Sequence, residues 1–219
     1  MKSIHKFSIF LVSLLVSYQS LAISSTLTGM QLGDDAAPLT IVEYRSLTCS
    51  HCADFSNNIF PEIKEKYIDT GKIKFEVRPF ALNAIDLNAF KLLHCTDEKD
   101  FFAMEKLLFQ DQKKWIVTKQ SDRVLENSTD ALRTYSTLFS ISEDEFNSCM
   151  ENEEITDFIL TMRIDAVEDY DVSSTPSFII DGDLYSGNMS FSEFEKICLL
   201  YTSDAADERS SVDLGGRRI

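Results

Sequence analysis

The sequence predicts an α/β fold built as β-α-β, then a long helical insertion, then β-β-α. Three observations carry this reading. Two β-branched apolar runs, LTIVEY at 39–44 and IKFEVRPF at 73–80, flank one stretch of helical periodicity. Residues 86–169 keep a helical spacing of apolar positions, and no β-rich run interrupts them. The segment SSTPSFIIDGDLYSG then supplies a short strand, an Asp181-Gly182 hairpin signal and a return strand.

Each element can be justified in chain order. Lys2 and Lys6, the apolar stretch Phe7 to Val16 and the small residues around Ser20-Leu21-Ala22 form a secretory signal peptide over 1–22, cleaved after Ala22. Its apolar part is too short to span a bilayer comfortably. The mature protein is therefore expected outside the cytoplasm, in the periplasm. Residues 23–38 are a polar, extended lead-in. The first strand ends at Arg45-Ser46-Leu47-Thr48 and gives way to CSHCADFSNNIFPEIKEKY, where Phe55, Ile59, Ile63 and Tyr67 recur every four residues as one helical stripe. Pro61 is expected to kink that helix. Gly71 precedes the second strand.

In the insertion, Phe101, Met104 and Leu108 share one helical face, and Leu132, Tyr135 and Phe139 a second. Phe146, Cys149 and Met150 give a third face, and Ile155, Ile159, Met162 and Ala166 a fourth. His94 has no motif around it and reads as a surface residue. Ser190-Phe191-Ser192-Glu193 fits a capping box, and Phe191, Phe194 and Ile197 begin a final amphipathic helix. The sheet-bearing domain is thus 39–85 with 170–198, and the insertion 86–169. The stretch 199–219 is polar, lacks periodicity and is expected to be disordered. It resembles translated sequencing-adaptor DNA, which would leave Cys198 outside the natural design.

Composition excludes some functions. The 219 residues are 44% hydrophobic and 26% charged, enough for a sizeable core. With 21 Lys+Arg against 36 Asp+Glu the formal charge is −15, a poor match for nucleic acid or an anionic membrane surface. Export makes the five cysteines, Cys49, Cys52, Cys95, Cys149 and Cys198, disulfide candidates first.

Cys49-Ser50-His51-Cys52 carries the chemistry. Two cysteines at this spacing can bind metal, close a structural disulfide or shuttle electrons. A structural zinc site would want a second pair of ligands at similar spacing, and the chain has no second CxxC or HxxxH. Position favours the redox role over the structural one. Cys49 stands where a buried strand meets a helix start, so unpaired backbone N–H groups and the positive helix end face its sulfur. His51 adds a donor or a positive charge at short range.

The run IVEYRSLTCSHC resembles the active-site segment of DsbA-like oxidoreductases of the thioredoxin superfamily. The resemblance covers roughly residues 30–197 and implies a thioredoxin fold with an inserted helical subdomain. It makes Cys49 the nucleophile, Cys52 the resolving thiol, His51 the inter-cysteine histidine and Glu43 the strand acid beside them. Glu43 alternates with Val42 and Tyr44, which suggests half-burial and a part in handling the proton of Cys52. Thr175-Pro176 resembles the cis-proline dipeptide that faces the active site in this superfamily. Cys95 and Cys149 are expected to form a second, structural disulfide, as in some similar proteins.

The function implied is a dithiol oxidase that introduces disulfides into unfolded or newly exported proteins with free thiols. A membrane quinone-linked thiol oxidase would reoxidise it. It would act as a monomer without cofactor or metal. Ser50 stands where the best-known oxidants carry proline, and Thr175 where they often carry valine. An isomerase or reductase on the same fold therefore stays open, as does a non-enzymatic metal-binding module using Cys49, His51 and Cys52. Lowering a thiol pKa from about 8.5 to about 3.5 favours the reduced form by roughly 5 kcal/mol, or about 100 mV. Thiolate stabilisation alone could then supply most of the gap between a strong oxidant and thioredoxin.

Overall fold

The computed structural model describes residues 27–117 and 122–201. The expected signal peptide and residues 202–219 of the expected tail lie outside the described residues. Five strands form one sheet: β1 (Met30–Leu32), β2 (Leu39–Arg45), β3 (Ile73–Pro79), β4 (Ser177–Ile180) and β5 (Asp183–Ser186). Their order is β1-β3-β2-β4-β5. Only β2 and β3 run parallel, as a helical crossover requires; the other neighbours are antiparallel. Each central strand has one wholly buried face, and the other is at least partly covered. Leu39 and Ile41 pack with Phe55, Ile63, Phe178 and Phe194 on one side. Tyr44 packs with Ala166, Val172 and Ile179 on the other.

The crossover helix, α1, is a continuous run of four turns: α-helical Ser50–Asp54, π-helical Phe55–Ile59, α-helical Phe60–Ile63 and π-helical Lys64–Ile68. Pro61 lies at the start of the third turn. It lacks the N–H that an unbroken α-ladder would need there, and the wider π turn before it absorbs the mismatch. The expected kink thus takes the form of a π segment.

The insertion holds α2 (Ala84–His94), α3 (Glu98–Gln110), α4 (Gln112–Trp115), α5 (Val124–Leu138), α6 (Glu143–Glu151) and α7 (Glu153–Tyr170). It starts slightly earlier than residue 86, because the Asn83 side chain accepts from Asp86 N and caps α2. Phe90, Met104, Leu108, Trp115, Leu132, Phe146 and Ile159 form its core, and Leu47, Cys52 and Ala53 join them. Burying each such side chain contributes about 1.5–3 kcal/mol, so the insertion is a second core fused beneath the CxxC turn. The Asp181-Gly182 turn has positive φ at both residues, 51° and 87°, as a two-residue hairpin demands. A closing helix, α8, spans 191–201 behind a capping box in which Ser190 and Glu193 each satisfy the other's backbone N–H.

Four expectations are corrected. The lead-in contains the edge strand β1, paired antiparallel to β3. Cys198 is fully buried in the core that joins the sheet to α1 and α8, so it belongs to the packed interior. Residues 199–201 are helical rather than disordered. His94 is half-buried rather than an exposed surface residue: its ring meets Phe101 of α3 and Phe158 of α7 edge-on at 5.5 and 5.0 Å. Helices on both sides close off the last turn of α2, and burial lowers the His94 pKa to about 4.

Candidate active site

Cys49 is the N-cap residue of α1, with extended backbone (φ −81°, ψ 124°), and its side chain stands at the first turn without capping it. Cys52 lies one turn on and is fully buried. Its sulfur accepts from Ser46 N at 3.5 Å. The Cys49 pKa is lowered to about 5 by the Cys52 thiol, which donates to it, and by the backbone N–H groups of Cys52 and His51. Burial opposes this without reversing it. Burial, together with its hydrogen bond to Cys49, pushes the Cys52 thiol far up. One sulfur is therefore poised as a thiolate and its partner as a proton carrier.

The bond between Thr175 and Pro176 is cis, and Cys49 Sγ lies 3.2 Å from Thr175 O. Both residues are buried. The Ser50 and His51 side chains are exposed. Of His51, it is the backbone N–H that faces Cys49.

The turn that carries Cys49 is held by the insertion, which sequence patterns did not reveal. Asp86, fully buried, accepts from Leu47 N at 2.8 Å and from Leu82 N at 2.9 Å. Gln112 donates to Leu47 O at 2.8 Å and to Cys49 O at 2.9 Å. Asn83 donates to Thr48 Oγ1 at 3.1 Å. Burial raises the Asp86 pKa to about 6 against the hydrogen bonds that lower it.

Behind Cys52 lies a buried charge network. Arg45, on the same face of β2 as Glu43, reaches both Glu43 and Glu105 of α3; the second contact is 2.8 Å. All three side chains are at most 3% exposed. The guanidinium also lies between the rings of Phe60 and Phe109. Glu43, expected to be half-buried, has no exposure at all, because α1 and α3 close over that face of β2. Burial raises its pKa to about 7 although Arg45 pulls the other way. A signal for Glu105 was present: it shares the buried face of Phe101 and Leu108, where an uncompensated carboxylate would cost several kcal/mol.

A disulfide joins Cys95 at the end of α2 to Cys149 on α6, with Cα atoms 6.1 Å apart. Cys49, Cys52 and Cys198 are thiols. Among the described residues no group of three or more His, Cys, Asp or Glu stands together as metal ligands would. No described helix is long and apolar enough to cross a membrane.

Comparison with known proteins agrees with this geometry. The thioredoxin family model matches residues 25–198. A protein of Rickettsia conorii named as a protein-disulfide oxidoreductase is 35% identical over 74% of this chain. The match spans 56% of that protein, so the chain covers about half the length of such relatives. Among solved structures, alpha-DsbA1 of Wolbachia pipientis is similar with a TM-score of 0.73 at 31% identity, covering 83% of this chain and 94% of that one. A protein-disulfide isomerase of Novosphingobium aromaticivorans gives 0.71 at 25% identity, covering 80% and 99%. With a thioredoxin-type sheet, a helical insertion and a CxxC motif at the first turn of α1, the chain belongs to the thioredoxin superfamily and shares its DsbA-like architecture.

Proposed function

We propose that the chain works in the periplasm as a dithiol oxidase, with Cys49 as nucleophile and Cys52 as resolving thiol. The observation that carries this reading is the opposite treatment of the two thiols: Cys49 is held as a thiolate near pKa 5 while Cys52 keeps its proton. A thiolate stabilised in the reduced enzyme makes the disulfide a strong oxidant. A substrate thiolate attacks the Cys49 sulfur of the Cys49–Cys52 disulfide, forms a mixed disulfide and expels the Cys52 sulfur, which takes up a proton. A second substrate thiolate attacks the substrate sulfur of that bond. The substrate leaves oxidised, and Cys49 leaves as the thiolate. Thr175 and Pro176 shape the surface on which the substrate backbone lies, and Glu43 handles the Cys52 proton. A membrane quinone-linked thiol oxidase would restore the disulfide, and unfolded or newly exported proteins with free thiols are the substrates.

The test is equilibration of the Cys49–Cys52 pair with glutathione. An oxidase predicts a potential nearer the about −120 mV of DsbA than the about −270 mV of thioredoxin. The kinship with a protein named as an isomerase motivates the second reading, in which the enzyme reshuffles disulfides from a reduced resting state. A potential at the thioredoxin end, with activity on scrambled rather than reduced substrate, would replace the first reading with the second. Rapid alkylation should be confined to Cys49 below pH 7, and equal labelling of both thiols there would remove the assignment of roles.

A further inference from the structure

We infer that Glu105, supplied by the helical insertion, acts through Arg45 as a positioning residue that sets the ionisation of Glu43, and with it the pH at which Cys52 can resolve a mixed disulfide. This deepens the redox reading and rests on it. One guanidinium faces two carboxylates in a site closed to water. The trio carries a net charge of −1 if both acids are ionised, and a buried net charge is costly. A single proton relieves it.

Geometry makes the two acids compete for one cation. Arg45 Nη2 serves Glu43 and Nη1 serves Glu105, so the cation is shared rather than given to Glu43 alone. Glu43 Oε1 and Glu105 Oε1 are both buried and make no hydrogen bond among the described residues, so either acid has an oxygen open to the proton, and Glu43 is the one whose charge bears on Cys52. The charged and titratable groups facing Glu43 are few. Arg45 comes from its own strand, Glu105 from α3, and Cys49 and Cys52 from α1. Its register neighbours on β3 and β4 are Val77 and Phe178, which do not titrate.

The step balances. The Cys52 thiol gives its proton to Glu43 and its sulfur attacks the Cys49 sulfur; the Cys49–Cys52 bond forms as the bond to the substrate sulfur breaks, and that sulfur leaves as a thiolate. Removing the charge of Glu105 hands Arg45 wholly to Glu43, which then gives up its proton at lower pH. Weakening the grip of Arg45 on Glu43 does the reverse.

The experiment uses the reduced protein and dithiobis-nitrobenzoate, followed by rapid mixing across pH. Attack by Cys49 releases one nitrothiobenzoate in a first phase; resolution by Cys52 releases the second. We expect the midpoint of the second phase to fall in Glu105→Gln and to rise in Arg45→Lys. Each shift should be half a unit or more, or about threefold in the fraction of plateau rate reached at a fixed pH below the midpoint. Glu105→Asp, which keeps the charge, should restore the wild-type midpoint. Asp86 also titrates in this range, but it braces the Cys49 turn away from Arg45, so its midpoint would not move in opposite directions in the two variants. A second phase that slows evenly with an unmoved midpoint, in whichever variants fold, overturns the inference and leaves Glu105 a purely structural residue. Loss of the first phase in the wild type would instead remove the redox reading itself.

Discussion

Cys49 and Cys52 stand at the end of β2, in a turn braced by hydrogen bonds, while Cys95 and Cys149 are drawn together across 54 residues by two packed helices. The first pair is thiol-bearing and electrically unequal; the second is joined and sits beside the insertion core. What separates them is not the sulfur but the backbone behind it. A helix N-terminus offers N–H donors that reward a thiolate, whereas neither Cys95, which follows the last turn of α2, nor Cys149, late in α6, offers its sulfur such donors. A long-range bond constrains the unfolded chain, and a two-residue bond constrains it little.

Removing each cysteine pair in turn separates their roles most directly. Cys49→Ala should abolish exchange and lose only the stability that the Cys49 thiolate lends the reduced protein above about pH 5. The double variant Cys95→Ala, Cys149→Ala should do the opposite, losing about 2–5 kcal/mol of stability and keeping exchange. Chemical denaturation and an exchange assay on both proteins check this, and a double variant without exchange would merge the two roles. The pH dependence sharpens it. A depressed thiol pKa contributes stability above that value and loses it as pH falls through it, so the reduced protein should gain on the oxidised one as pH rises past about 5. Parallel melting of both forms across pH 4–8 measures the gap, and a constant gap would contradict a thiolate at Cys49.

A smaller effect is expected at the brace. Asp86→Asn keeps one acceptor oxygen but sets an amide N–H₂ against a backbone N–H, at a cost of about 1–3 kcal/mol. The Asp86 pKa is raised in the fold, so its stabilising contribution is present at low pH and is lost as pH rises through about 6. The variant should lack that decline and should also react more slowly at Cys49. A variant as fast as wild type would mean that the turn holds its shape without this carboxylate. The smallest shift belongs to His51→Ala. Its imidazole is exposed, so its removal should raise the Cys49 pKa and lower the oxidising power by only a modest amount. Equal potentials would leave the Cys52 thiol, the Thr175 side chain and the backbone N–H groups as the sources of the effect.

Much of this was legible in the sequence, and the rest was hidden for physical reasons. LTIVEY, IKFEVRPF and SFII declared β2, β3 and β4, because each is rich in β-branched and aromatic residues and has one wholly buried face. β1 was missed because MQL is too short to show a period. The motif was legible from its spacing and its place at a strand–helix junction, and the dipeptide before the last hairpin through resemblance. Asp86, Asn83 and Gln112 were not, since each is polar, unremarkable locally, and meaningful only once 35–65 residues of chain have folded back. Arg45 and Glu105 left a fainter trace as charges set among apolar neighbours, visible only when read as a pair.

Gln112 ties two consecutive parts of the Cys49 turn to the start of α4, and so makes the insertion a stakeholder in the chemistry. A lineage can then retune its redox potential by drift in a side chain that grips only the backbone of the turn, leaving the four-residue signature untouched. Two chains with the same Cys-Ser-His-Cys could inherit different temperaments, and the place to look for the cause would be the floor beneath the motif.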